Sequence, residues 1–305
     1  MKHLVLVGPT ASGKSDLALA AARTLGDVEI VSVDSMQVYR DMDVGTAKPS
    51  TAERATVPHH LLDVADPDEE WSVARFQHAA REAVAGIERR SRRALLVGGT
   101  GLYVQAVIDP LTFPPEDRAL RADLEMTTRA EGGLSAAYAE LQLVDPEAAA
   151  RIEPGNARRI VRALEVIRLT GRPFSSFGPG MQTYGETVFP VSMAGVAIDG
   201  ERLRVRIERR VDAMLTAGLV EEVRALRACR ELSRSAQQAI GYREVMAHLD
   251  GELALDEARQ ETIERTWRFA RRQVRWFRRD PRITWLEADD NPCDLLPALL
   301  ALWSR

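Results

Sequence analysis

Cysteine and lysine are scarce in this chain, and it has no long apolar run. Its two cysteines, Cys229 and Cys293, lie far apart and form no CxxC pair. They support neither a disulfide framework nor a zinc site, and they fit a reducing, cytoplasmic setting. No stretch is long and apolar enough to span a bilayer, and the run Leu4–Val7 is too short for a signal peptide, so no membrane association is expected. Lysine occurs only at Lys2, Lys14 and Lys48. Positive charge is therefore carried by Arg, whose planar donor fork suits phosphates, although a codon bias toward Arg gives the same enrichment without function. With 41 basic and 45 acidic residues the formal net charge is −4, so only the distribution of charge can point to nucleic acid. There is no internal repeat and no low-complexity tract.

What is present is a core. The chain has 305 residues, 45% of them apolar, enough for one large domain or two. Leu4–Val7, Ile30–Val33 and Leu95–Val97 read as buried parallel strands, each leading into a loop of Gly, Ser or Thr. Ser15–Leu25 and Val73–Arg90 read as the intervening helices. This alternation predicts an α/β doubly wound sheet, which the loop at residues 8–15 described below makes a P-loop NTPase-like parallel sheet core. A fourth apolar run, Val191–Ile198, comes much later. Between them Pro110, Pro114 and Pro115 open a helical stretch through Leu169, which the segment Gly171–Gly180 closes. Residues 114–185 are therefore expected to form a helical insertion domain, and residues 1–113 and 186–305 the core. Long Arg-rich C-terminal helices are expected at 201–228 and 257–279, then a short strand and closing helix in Pro281–Arg305.

Gly8-Pro9-Thr10-Ala11-Ser12-Gly13-Lys14-Ser15 matches the full P-loop pattern, with a strand before it and a helix after. Such a loop turns backbone N–H groups toward phosphate oxygens. Lys14 neutralises charge and the Ser15 hydroxyl can bind Mg²⁺. The pattern indicates a polyphosphate without saying which. Asp34 follows the second strand, where ligands bind in doubly wound sheets. A carboxylate there could act as a base or hold Mg²⁺ through water, or be a turn or N-cap residue. Gly98-Gly99-Thr100-Gly101 could admit a ligand closely or be a simple strand-to-helix turn. The His59-His60 pair lacks partners at metal spacing and reads as structural.

Three Arg clusters stand out: Arg265 to Arg282 with interleaved aromatics, Arg158-Arg159-Ile160-Val161-Arg162 with Arg151 and Arg168 nearby, and Arg202, Arg204, Arg206, Arg209 and Arg210. Each alone is more often a solvated helix face; together they favour an anionic polymer. The aromatics Trp267, Phe269, Trp276 and Phe277 are expected mostly in the core.

In order along the chain stand GPTASGKS at 8–15, VDSMQVYRDMDVGTAKP at 33–49, PHHLLDV at 58–64, LLVGGTGLY at 95–103, RRIVRALEV at 158–166, RVRIERRVDAML at 204–215, AIGYRE at 239–244 and RRQVRWFRR at 271–279. This series resembles the bacterial tRNA dimethylallyltransferases over nearly the whole chain. The resemblance implies transfer of a dimethylallyl group from dimethylallyl diphosphate to N6 of the adenosine 3′-adjacent to the anticodon, in tRNAs reading codons that start with U. It gives Asp34 the base role, and gives Thr10 and Arg210 the steadying of the diphosphate, shared by Arg206 and the loop Gly8, Pro9, Thr10, Ala11, Ser12, Gly13, Lys14 and Ser15. It assigns contacts with the tRNA anticodon stem-loop to Asp34, Ser35, Met36, Gln37, Thr100, Arg121, Arg158, Arg159, Ile160, Val161 and Arg162, with further contacts in Gln237–Glu244 and Arg271–Arg278, among them Gly241, Arg243, Arg272 and Arg275. Mg²⁺ on Ser15 is the implied cofactor. A monomer is expected. The rival readings are a P-loop kinase using ATP on a small molecule, which the loop alone would favour, and an RNA-binding protein with a degenerate nucleotide site.

Overall fold

In a computed structural model that describes residues 2–177, 184–289 and 291–304, the Val/Leu/Ile-rich runs become strands buried on both faces. Among the described residues they are β1 (His3–Val7), β2 (Val28–Val33), β3 (His59–His60), β4 (Arg93–Gly98), β5 (Val191–Ile198) and β6 (Ile283–Ala288). They form one all-parallel sheet in the order β3-β2-β4-β1-β5-β6. The helices in chain order are α1 (Lys14–Leu25), α2 (Thr51–Thr56), α3 (Val73–Arg89), α4 (Gly101–Ile108), α5 (Arg118–Arg129), α6 (Gly133–Val144), α7 (Pro146–Arg151) and α8 (Ala157–Thr170), followed by α9 (Gly200–Thr216), α10 (Leu219–Cys229), α11 (Arg234–Gln237), α12 (Tyr242–Leu249), α13 (Leu255–Phe277) and α14 (Leu296–Trp303).

The period-2 alternation of side chains divides each strand between two cores. Val5, Val7, Val31, Val33 and Leu96 face a layer that includes residues of α3, α4, α10 and α12. Leu4, Leu6, Val28, Ile30 and Leu95 face α1 and α14. This is a P-loop-type α/β sheet with helices on both faces. The single long helix expected over 201–228 is instead two, because Gly218 adopts φ 99, a left-handed conformation that glycine reaches without steric cost. The His pair forms β3. His59 Nδ1 is 2.8 Å from the Val57 carbonyl and His60 Nε2 is 2.7 Å from Glu29, both structural contacts.

The chain divides into two compact units, Met1–Asp109 with Tyr184–Arg305, and Pro110–Thr183. The second is a helical bundle around Leu124, Leu141, Ile152, Ile160, Val161 and Leu164. In the Gly171–Gly180 segment, Gly171 ends α8 with φ 67 and Phe174–Phe177 forms one 3-10 turn; residues 178–180 lie outside the described residues. No helix among the described residues is long and apolar enough to cross a membrane.

Candidate active site

Three strand ends meet in register. Val7 of β1 and Val33 of β2 both pair with Gly98 of β4, so the loops that follow them emerge side by side at the carboxyl edge of the sheet. That edge is where parallel sheets bind ligands. The first loop is the phosphate loop. It turns through Ala11 at φ 62 and Gly13 at φ 80 into α1, whose first N–H groups have no helical partner. Gly13 also admits Pro292, because a Cβ there would lie 2.3 Å from its Cγ. Within the loop the Ser12 hydroxyl is buried and has no hydrogen-bond partner among the described residues.

Two cations meet over this loop. Lys14 Nζ donates to the Pro9 carbonyl at 3.0 Å. Burial and, after it, the nearby Arg210 guanidinium together push the Lys14 ammonium down to about 8, against the opposing pull of Asp34. Burial likewise lowers Arg210, against the pull of Asp34 and Asp16. Among the described residues neither Lys14 nor Arg210 has a carboxylate at ion-pair distance. Two buried cations held together with no carboxylate in ion-pair contact among the described residues make a site for a multiply charged anion. Arg206 lies one turn earlier on α9 and is half-buried, whereas Ser15 is exposed at the start of α1. The described residues include no cluster of three His, Cys, Asp or Glu that could hold a metal. A divalent ion here would rest on the Ser15 hydroxyl and on ligand oxygens, a donor set that suits Mg²⁺, which keeps most of its waters.

Asp34 opens the second loop. Its Oδ1 accepts from the backbone N–H of Met36 at 2.8 Å and of Gln37 at 3.3 Å. Oδ2 has no donor among the described residues. The carboxylate is thus both a turn residue and a group with one free oxygen beside Lys14 and Arg210. Ser35 and Met36 are half-buried. The Gln37 amide is fully engaged within the fold, accepting from Ser32 Oγ at 2.7 Å and donating to the Thr46 and Ala47 carbonyls.

The rest of the 33–49 block is explained by bracing. Lys48 has a fully buried side chain and donates to Tyr39 O, Asp43 Oδ1 and Asp63 Oδ1 at 2.7, 2.6 and 2.7 Å. Glu222 of α10 accepts from three successive backbone N–H groups, Asp43, Val44 and Gly45, and from the Tyr242 hydroxyl at 2.6 Å. Tyr242 sits where a Cβ on Gly45 would fall, and its burial together with the Glu222 carboxylate holds its hydroxyl protonated as a donor. Sequence reasoning missed Glu222, and it put Tyr242 in the Gln237–Glu244 stretch of tRNA contacts, whereas its side chain is buried against Glu222. Glu222→Ala strands four donors at once, so it is expected to destabilise the protein by about 1–3 kcal/mol in chemical denaturation. An unchanged midpoint and slope would mean that water satisfies the loop.

Of the two readings of the third loop's glycines, the structure shows the strand-to-helix turn, between β4 and α4. Gly98, Gly99 and Gly101 make room for protein: a Cβ at each would lie 2.0 Å from Val33 O, 2.2 Å from Gln273 Nε2 and 2.1 Å from Trp276 Cδ1. Thr100 is the N-cap residue of α4, without a side-chain cap bond. Gln273, which lies in the Arg271–Arg278 stretch expected to contact tRNA, is instead buried: it accepts from Thr10 N at 2.8 Å and donates to Gly99 O at 2.9 Å.

Of the expected RNA-contacting residues, those on α13 are best presented. Arg268, Arg271, Arg272 and Arg275 of α13, and Arg278 and Arg279 just after it, are exposed, and no carboxylate pairs with them among the described residues. Phe277 is buried, Trp276 packs on Gly101, and Arg272 lies over the Phe269 ring at 5.7 Å. In the helical unit Arg158 and Arg159 are exposed. Ile160 and Val161 are a correction: at 0% and 3% exposure their side chains belong to the core of the bundle. Arg121 and Arg162 both bind the buried Glu165 carboxylate, and Arg162 also donates to the Pro114 and Pro115 carbonyls, so each braces its bundle. Gly241 is also corrected: it is buried, and its N–H donates to Glu244 at 2.8 Å. Arg243 is exposed. The α9 cluster is partly neutralised, since Arg204 pairs with Glu208 and Glu264, and Arg202 with Asp289.

A phosphate loop at the carboxyl edge of a parallel sheet, with Lys14 and Arg210 above it and a carboxylate alongside, defines a P-loop-type α/β protein. The chain belongs to the IPP transferase family, whose sequence pattern matches residues 37–280; the isopentenyl transferase pattern matches residues 1–64. The tRNA dimethylallyltransferase of Streptomyces coelicolor is 52% identical over 298 residues, spanning 97% of this chain and 93% of its own. That of Salinispora arenicola is 52% identical over 287 residues, spanning 93% and 82%. The full-length tRNA isopentenylpyrophosphate transferase of Bacillus halodurans matches with a TM-score of 0.70 at 40% identity, over 99% of this chain and 94% of its own. A eukaryotic dimethylallyltransferase acting on tRNA matches with a TM-score of 0.79 at 28% identity, over 95% and 74%.

Proposed function

We propose that the protein transfers a dimethylallyl group from dimethylallyl diphosphate to N6 of the adenosine 3′-adjacent to the anticodon, in tRNAs reading U-starting codons, and that it works as a cytoplasmic monomer. The observation that carries this reading is the placing of Lys14 and Arg210, which favour a departing anion, beside the free oxygen of Asp34, which can take a proton. The N6 amine is a poor nucleophile because its lone pair is delocalised into the ring. As nitrogen bonds to the allylic carbon, the carbon–oxygen bond to the diphosphate breaks and Asp34 accepts the N6 proton. Lys14, Arg210 and Thr10 receive the charge that develops on the leaving diphosphate, with Arg206 adjacent. Mg²⁺ held by Ser15 and the diphosphate would neutralise part of that charge. The acceptor base must leave its stack to reach the site.

Incubation with unmodified tRNA and dimethylallyl diphosphate, followed by mass spectrometry of the nucleosides, tests the reaction. The expected product is dimethylallyl adenosine at that one position. ATP hydrolysis or phosphate transfer, with no modified nucleoside, would establish the kinase reading instead.

The exposed Arg face of α13 supports tRNA as the partner. Replacing Arg272 and Arg275 together by Gln is expected to weaken tRNA binding. It should also flatten the dependence of log affinity on log salt by about 0.7–0.9 for each phosphate that is no longer neutralised. Binding of dimethylallyl diphosphate stays unchanged. Unaltered tRNA affinity at moderate salt would make this face merely solvated.

A further inference from the structure

Gln273 lies between exposed arginines on α13, yet is 6% exposed, with both ends of its carboxamide bonded inside the protein. One bond fixes the phosphate loop and the other the Gly98–Gly101 turn. The N–H that it holds, at Thr10, belongs to the same peptide unit as the Pro9 carbonyl, which accepts from Lys14 Nζ at 3.0 Å. That peptide plane is therefore clamped at both ends, its carbonyl by Lys14 and its N–H by Gln273. The Lys14 clamp is conditional, because an ammonium that turns its protons to an anion gives up the Pro9 carbonyl. The Gln273 clamp is not conditional, since an amide side chain has no charge for the anion to attract.

We propose that Gln273 is a positioning residue for the reaction: it keeps the Pro9–Thr10 peptide from flipping when Lys14 engages the diphosphate, and so fixes the Thr10 side chain against the leaving group. A flipped peptide would turn a carbonyl oxygen, with its partial negative charge, into a cradle built for an anion. The inference rests on the reading of the site given above. Gly99 belongs to the same device, because any side chain there would occupy the space of the Gln273 amide. This accounts for a Gln embedded in an arginine run: Arg would bring charge and bulk to this seam, and an apolar residue would leave the Thr10 N–H and the Gly99 carbonyl unpaired.

The test is Gln273→Met, which keeps length and removes both bonds, made in the natural chain and in a Thr10→Ala chain. In the natural chain the expected loss in kcat is about 10- to 100-fold, the scale on which small misplacements of reacting groups act. Inorganic diphosphate with Mg²⁺ should also bind more weakly by calorimetry, while KM for tRNA stays within about twofold. If Gln273 acts through Thr10, the same substitution costs less than about threefold in the Thr10→Ala chain. A residue that merely seats α13 behaves differently: KM for tRNA rises, because Arg272 and Arg275 ride on that helix, and the loss is equal in both chains. Either that pattern or an unchanged kcat and diphosphate affinity overturns the proposal. Gly99→Ala, which displaces the amide from the opposite side, serves if Gln273→Met does not fold, and the same pattern is expected of it. If the natural chain transfers no allyl group to tRNA, the function assigned above fails, whereas diphosphate affinity still reports whether Gln273 holds the loop.

Discussion

Asp34→Asn is expected to lower turnover by about 10²–10⁴-fold, the usual cost of losing a positioned general base. The substitution is informative because Asp34 has two jobs in the structure and Asn can do only one. Its amide oxygen can still accept from Met36 N and Gln37 N, so the turn after β2 survives and the melting temperature should hold. The basicity of the free oxygen is lost. Removing a negative charge beside Lys14 and Arg210 also leaves those cations less compensated. Binding of inorganic diphosphate should therefore be equal to the natural chain or tighter, while the chemistry fails. A pre-steady-state measurement of allyl transfer, with calorimetry on the same preparation, reads both. Turnover reduced less than tenfold would put the base elsewhere. A joint collapse of turnover and diphosphate affinity would make Asp34 a shaper of the loop.

The parts of the site readable in sequence are those whose geometry is local. The phosphate loop is one contiguous turn between a strand and a helix, so eight residues specify it. Asp34 could be placed because the end of a parallel strand is a predictable location. Lys48 carried a hint, as one of three lysines in an Arg-rich chain, but its partners Asp43 and Asp63 become partners only through folding. Gln273 and Glu222 bond across 263 and up to 179 residues, and no periodicity encodes such a meeting. The misplacements have the same cause or a missed local signal. Ile160, Val161 and Leu164 recur at helical spacing, the mark of a core stripe, and the structure buries all three. Arg162 with Glu165 three residues on was a visible pair, but Arg121 arrives at the same carboxylate from another helix. Gly218 was a legible break in the 201–228 pattern, since a left-handed glycine commonly separates two helices.

Lys14→Met is expected to be the other severe lesion, and its pH signature distinguishes it. Loss of one preorganised donor to a developing anion costs about 10²–10³-fold in kcat. Met fills the same space without charge, so the loop should remain folded. Before any anion binds, burial and the neighbouring Arg210 hold the Lys14 ammonium at about 8. A bound diphosphate favours the charged form and raises that value. Binding therefore takes up a proton whenever Lys14 is neutral in the free protein. The sign follows: affinity for the diphosphate is fully present below about pH 8. Above it, affinity falls, by up to about tenfold per pH unit, until the raised pKa of the complex is reached. Inorganic diphosphate titrates as well, so its own proton exchange with Mg²⁺, measured without protein, is subtracted across the informative window of roughly pH 7 to 10. Calorimetry of inorganic diphosphate with Mg²⁺, in buffers of different ionisation enthalpy, counts the protons directly. The natural chain should take up a rising fraction of one proton across this window. Lys14→Met should take up none, and its weaker affinity should be flat with pH. Arg210→Met should still show proton uptake, with its onset moved to higher pH because a neighbouring cation has gone. An affinity independent of pH in the natural chain would mean that Lys14 is fully charged before the anion arrives.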